Sequence, residues 1–188
     1  MDLIEKVKIP DFPGLEEISF FASLAYHGLL KSVTVDSLRL RNVDLSSVPV
    51  KHLASLVSCV SKTVEIRSRA KVPDLVSFMD SIKGILRYMY VGVSLGTEET
   101  QALVRVMESH LVKLRIGKIL DIEALTQYSG QGKCSKIQCY DPSPKYNEKL
   151  KTWAKSKSWK TRVIDNYLEL YQLILDPDEL MELYSDRV

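Results

Sequence analysis

Apolar residues recur along this chain in two alternating rhythms, and the alternation itself repeats. Segments such as Val35-Asp36-Ser37-Leu38-Arg39-Leu40-Arg41 favour period two, while the stretches between them place apolar residues three and four apart. Period two marks a half-buried strand and period 3.6 an amphipathic helix. The octet Leu38-Arg39-Leu40-Arg41-Asn42-Val43-Asp44-Leu45 matches Tyr88-Met89-Tyr90-Val91-Gly92-Val93-Ser94-Leu95 at four apolar places. Weaker copies start at Val64, Leu114, Ile137 and Arg162, so the starts lie 26, 24, 26, 23 and 25 residues apart. A period near 25 with one strand and one helix predicts a solenoid, in which each unit buries its apolar face against its neighbours.

The pattern predicts a helix within 14–30, with Leu15, Ile18, Phe21, Leu24 and Leu29 at helical spacing and Gly28 near its end. It predicts strands at 35–41, 64–67, 86–91, 112–116, 136–140 and near 160–165. The intervening helices carry Leu53, Leu56, Val57 and Val60; Leu75, Phe78, Met79 and Ile82; Ala102, Leu103, Val106 and Met107; Ile122 to Leu125; and Tyr146, Leu150 and Trp153. Pro73 is placed in a first helical turn, and Thr97 caps the helix whose first turn holds Glu98 and Glu99. Tyr167 to Leu173 alternates as a further strand, and Asp176-Pro177-Asp178-Glu179 opens a short terminal helix. The expected organisation is one domain: a lead-in and capping helix at 1–32, about six degenerate repeats at 33–165, and a cap at 166–188.

The expected fold class is therefore α/β, a short solenoid with a parallel sheet on its concave side and helices on its convex side. Val35-x-x-Leu38-x-Leu40-x-x-Val43-x-Leu45 resembles the leucine-rich-repeat pattern L-x-x-L-x-L-x-x-N-x-L. A helix in every unit makes it similar to the ribonuclease-inhibitor type. The stretches 43–49 and 94–104 resemble degenerate repeats of NACHT-type innate-immune receptors. The resemblance implies protein binding, with immune sensing or ligase-adaptor roles among the family's uses. Val43 and Val93 stand where the family has asparagine, so a short, irregular arc is expected.

Strand alternation directs Leu38, Leu40, Val64, Ile66, Tyr88, Tyr90, Leu114, Ile116, Ile137 and Cys139 inward. Three rows are then left for the concave face: Arg39, Glu65, Met89, Arg115, Gln138; Arg41, Arg67, Val91, Gly117, Tyr140; and Ser37, Thr63, Arg87, Lys113, Lys136. Seven of these fifteen residues are Arg or Lys and one is acidic, so a chain of net charge +2 gathers a basic stripe. The residues expected to meet a partner are Arg39, Arg41, Arg67, Arg87, Met89, Lys113, Arg115, Lys136 and Tyr140. An acidic protein surface is the expected partner, and a solvated charged face is the competing reading. Nucleic acid is the alternative partner, through the concave arginines and the lysine-rich 145–160 segment with Trp153 and Trp159.

Composition narrows the rest. An apolar fraction of 45% and a charged fraction of 27% over 188 residues suit one folded domain. No apolar run approaches the ~20 residues that cross a bilayer, so membrane insertion is not expected. The odd set Cys59, Cys134 and Cys139 makes a poor disulfide framework, and a reducing, cytoplasmic location is the simplest expectation. Cys134 and Cys139 read as buried thiols rather than metal ligands. No nucleophile elbow, phosphate loop or paired zinc histidines occur, so neither catalysis nor a cofactor or metal is expected. Ser129-Gly130-Gln131-Gly132-Lys133 follows a helix and precedes a strand, the reverse of a phosphate loop.

Overall fold

A computed structural model describes residues 9–10, 13–30, 35–67, 69–82, 86–109, 111–140 and 144–172. Strands β1 (Val35–Leu40), β2 (Val60–Ile66), β3 (Tyr88–Leu95), β4 (Lys113–Ile119) and β5 (Lys136–Tyr140) alternate with helices. Helix α1 (Leu15–Tyr26) precedes β1, and α2 (Val50–Val57), α3 (Leu75–Asp80), α4 (Thr97–Ser109) and α5 (Ile122–Thr126) connect the strands in turn. Helix α6 (Pro144–Ser156) leads to β6 (Lys160–Ile164) and β7 (Tyr167–Tyr171). The seven strands form one sheet in the order β1-β2-β3-β4-β5-β7-β6, parallel from β1 to β5.

Each parallel strand lies beside its predecessor in sequence, and successive helices touch one another. Crossovers of one hand advancing in one direction place their helices on one side of the sheet. That side holds the core: Leu38, Leu40, Val64, Ile66, Met89, Val91, Leu114, Ile116, Ile137, Leu168 and Leu170 pack there, each at most 2% exposed. Helices α2, α3 and α4 contribute Leu53, Leu56, Phe78, Met79, Leu103 and Met107.

The structure departs from the sequence pattern at several points. The series does not continue as a sixth parallel strand. Instead β6 and β7 form an antiparallel hairpin, and β7 inserts between β5 and β6. Asp165-Asn166 makes the two-residue turn, with Asp165 at a φ of 51°, the positive value such turns require at a central residue. Val60 starts β2 rather than ending α2. Asp74, not a proline in the first turn, caps α3 by accepting from the Ser77 backbone N–H. Thr97 is itself helical, and its hydroxyl donates to Asp121, the cap of α5. The expected terminal helix lies outside the described residues.

The third repeat is shifted by one residue. Val64 pairs with Met89 and Met89 with Leu114, so Met89 and Val91 are in the core while Tyr88 and Tyr90 face outward. The paired positions Leu38, Val64, Met89, Leu114 and Ile137 are spaced by 26, 25, 25 and 23 residues. A register irregularity between Val91 and Ser94 gives β3 one residue more than β4 there, and Leu95 is in the core, as Leu45 is in the first unit. Close approach is needed there: a Cβ on Gly117 would lie 2.9 Å from the Gly92 Cα.

Candidate functional site

Parallel sheets normally bury both faces under helices. Here no described helix covers the second face, called the open face below, and most of its side chains are half-exposed. Two continuous register rows run across it. One is Arg39, Glu65, Tyr90, Arg115, Gln138, Glu169, Arg162; the other is Ser37, Thr63, Tyr88, Lys113, Lys136, Tyr171, Lys160. With Arg67 at the end of β2, these rows bring seven cations against two carboxylates, so the face carries excess positive charge.

Both carboxylates are buried and enclosed by cations. Glu65 meets Arg67 at 2.7 Å and Arg39 at 3.7 Å. Glu169 accepts from Gln138 at 2.7 Å and from Arg162 at 2.8 Å, with Lys136 at 3.8 Å. Burial opposes ionisation of Glu169. The Gln138 and Arg162 hydrogen bonds, helped by the Lys136 and Arg162 charges, outweigh it and hold its carboxyl below the ordinary value.

Tyrosines separate these two clusters. The Arg67 guanidinium lies 4.8 Å from the Tyr90 ring centroid, and Arg115 lies 5.5 Å from the same ring. Arg115 also sits 4.2 Å from the Tyr167 ring, and Tyr167 packs against Tyr140 at 5.1 Å. Arg162 lies 5.2 Å from Tyr171. Arg115 thus occupies the centre, held by two aromatic rings, and no carboxylate among the described residues pairs with it. Its Nε is buried without a hydrogen-bond partner. Burial raises the neighbouring Tyr88 phenol above its usual range, with Arg115 acting in the opposite direction.

Of the residues expected from the sequence, Arg39, Arg67, Lys113, Arg115, Lys136 and Tyr140 fall on this face. Arg41 and Arg87 flank β1 and β3 at exposed positions. Met89 is fully buried and cannot meet a partner; Tyr90 takes its place in the row. The sequence reading missed Tyr88, Tyr90, Tyr167, Glu169, Tyr171 and Arg162, and it placed Lys160 only in the lysine-rich 145–160 segment. Their signal was present: a tyrosine in a strand can put its ring on a sheet and its hydroxyl in water, so it need not point inward.

The lysine-rich segment is arranged differently. Trp153 and Trp159 are buried against Tyr128, with ring centroids 5.5 to 6.1 Å apart. Lys149 pairs with Glu123 and Lys151 with Glu148. No indole is left exposed for stacking. Cys134 and Cys139 are buried among core residues, which pushes both thiols up to about 12 and keeps them protonated at neutral pH.

Two clefts lie away from the open face. One, of about 510 Å³, sits beyond the ends of β2 and β3 and includes Lys71, Asp74, Glu98 and Glu99. Its charged groups have structural duties: Lys71 pairs with Asp44 at 2.8 Å, and Asp74 caps α3. The other, of about 520 Å³, lies between α5 and α6 around Glu123, Lys149 and Trp153. No helix among the described residues is long and apolar enough to cross a membrane.

No family model, no curated protein and no solved structure matches this chain. The fold and the face define a mixed α/β protein, a seven-stranded sheet alternating with helices, with one cation-rich sheet face that no described helix covers.

Proposed function

We propose that this protein is a non-catalytic recognition module that binds an acidic protein surface through the open face of its sheet. The observation that carries the reading is Arg115, a guanidinium fixed between Tyr90 and Tyr167 at the centre of a cation-rich face. A cation already held in place loses less side-chain freedom on binding than a free one. Arginine and tyrosine are also the residue types that dominate binding energy at protein interfaces.

The rings decide between partner classes. Sequence-tolerant binding of single-stranded nucleic acid stacks bases on aromatic faces. Here guanidinium groups lie over Tyr90, Tyr167 and Tyr171, so a base would have to displace them. A carboxylate approaching Arg115 displaces no carboxylate of the described residues, which favours an acidic polypeptide.

Within the same proposal, the sheet and its helices form a short solenoid resembling the ribonuclease-inhibitor type of leucine-rich repeat. The near-25-residue register and one-sided helices support this. The valine at position 43, 6% exposed, fills with an apolar side chain the place where the family pattern has asparagine.

The test is capture from nuclease-treated lysate on immobilised wild-type protein and on a Lys113→Glu/Arg115→Glu variant of matched circular dichroism. Proteins retained by the wild type alone, and released by moderate salt, support the proposal. Retention abolished by the nuclease, or equal on both baits, contradicts it.

A further inference from the structure

At one end the sheet outruns its helices. Leu168 and Leu170 of β7 are buried, and α6 touches both β6 and β7. Beyond them all five residues of β6 are exposed, Val163 at 68%. β6 ends the strand order, and no described strand lies beyond it.

The register identifies the backbone groups on that edge. Residues along an antiparallel strand bond alternately to one neighbour and the other. Gln172, the residue after β7, donates its N–H to Ser135 at 2.9 Å, so even-numbered residues there bond toward β5 and odd-numbered ones toward β6. Tyr167, Glu169 and Tyr171 therefore bond to Ile164, Arg162 and Lys160. The two-residue Asp165-Asn166 turn agrees, since Ile164 and Tyr167 close it as the first bonded pair. The N–H and C=O groups of Thr161 and Val163 are left pointing off the sheet. Lys160 and Arg162 stand in the rows of the open face, and Thr161 and Val163 stand on the helix side.

We propose that this edge accepts an acidic, extended segment of a partner protein as an added antiparallel strand. The inference rests on the acid-binding role proposed for the open face and names the conformation in which the partner is held. Main-chain bonds to Thr161 and Val163 supply affinity, and alternate side chains supply specificity. Arg162 lies between the two bonding positions, so it meets the added strand as a non-hydrogen-bonded pair, where side chains come closest. Its guanidinium is about half-exposed even while it holds Glu169. Acids opposite Arg162 and Lys160 match their charge, and apolar residues between those acids cover Val163. The occupant therefore alternates acidic and apolar residues. A second copy of β6 fits poorly: the pairing that overlaps the strand in full sets Arg162 against its own copy, and like charges directly opposite are destabilising. Charged residues on an edge strand guard against such self-association.

The test uses Val163→Pro, which removes one outward N–H and none of the bonds to β7, a change that edge strands tolerate. The probe is a fluorescent six-residue peptide alternating glutamate with valine, at about 0.15 M salt, where distant charges are screened. Its affinity should fall at least about ten-fold on Val163→Pro protein of matched circular dichroism, and a peptide of the same composition in two blocks should bind the wild type equally weakly. Equal affinity for wild type and variant would overturn the proposal.

Amide exchange of the wild type decides the same point without a substitution. In the free chain the Thr161 and Val163 amides should exchange much faster than that of Arg162, and saturating peptide should slow them about ten-fold or more. Slow exchange of both in the free chain, or no slowing by the peptide, would overturn the added strand. The Lys113→Glu/Arg115→Glu variant judges the open face separately. Peptide binding abolished by that variant but untouched by Val163→Pro would keep the Arg115 centre and remove the added strand.

Discussion

Arg115 on β4 and Tyr167 on β7 meet across the intervening strand β5, with the guanidinium 4.2 Å from the ring centroid. That contact links the parallel series to the antiparallel hairpin on the open side, where no described helix does so. Replacing Arg115 by Met keeps a long stem over the rings and removes the charge. A cation–π contact at a partly exposed site contributes about 0.5–1 kcal/mol. Chemical denaturation should therefore show a loss no greater than about 1 kcal/mol, and a loss of several would make Arg115 a structural residue first.

The register of β3 makes a sharp contrast between neighbours. Met89→Ala empties a fully buried site and should cost about 2–5 kcal/mol, as large-to-small core substitutions do. Tyr88→Ala, on the half-buried outward side, should cost clearly less. Urea unfolding of the two variants decides it; the reverse ranking would restore the register in which the tyrosines face inward.

Glu169 makes the protein sensitive to acid through one identifiable group. Its carboxyl is held below the ordinary 4.5, so its contribution to stability is fully present above that value. The contribution is lost as pH falls through the lower folded-state value. Glu169→Gln should lower stability at pH 7 by about 2 kcal/mol, the scale of hydrogen bonds to charged groups. The difference between variant and wild type should shrink below pH 4.5, and a constant difference down to pH 2 would remove Glu169 from the acid response.

Gly117 is required by proximity. A Cβ there would meet the Gly92 backbone at 2.9 Å, and neither strand can yield without disturbing the β3–β4 ladder. Gly117→Ala should destabilise by about 1–3 kcal/mol, the usual cost of overpacking. A thermal melt unchanged from the wild type would show that the irregularity after Val91 relaxes freely.

Much of the fold was legible because its two apolar rhythms are physically distinct. Leu38 and Leu40, Leu114 and Ile116, and Ile137 and Cys139 alternate with charged or polar residues, and each pair lies inward as its period implies. Tyr88-Met89-Tyr90-Val91 gave no such contrast. All four count as apolar, so period alone could not choose a face, and the two tyrosine hydroxyls were the deciding chemistry. The hairpin was hidden for another reason. Repeat spacing favoured a sixth parallel strand, although Asp165-Asn166 between two short strands is itself a turn signal. Missing the hairpin also hid Glu169 and Arg162, which only antiparallel pairing carries into the row through Arg115, and Tyr167, which it pairs with Tyr140. The cation excess was readable from β1, β2, β4 and β5 because their phase was right.

The open face is tested most directly by two-dimensional amide spectra of nitrogen-15-labelled protein titrated with a ten-residue oligoglutamate at low salt. The largest shifts are expected on β4, β5 and β7 around Arg115, Gln138 and Glu169, and they should vanish in Lys113→Glu/Arg115→Glu protein. Shifts concentrated on α6, or unchanged by those substitutions, would contradict recognition through the open face.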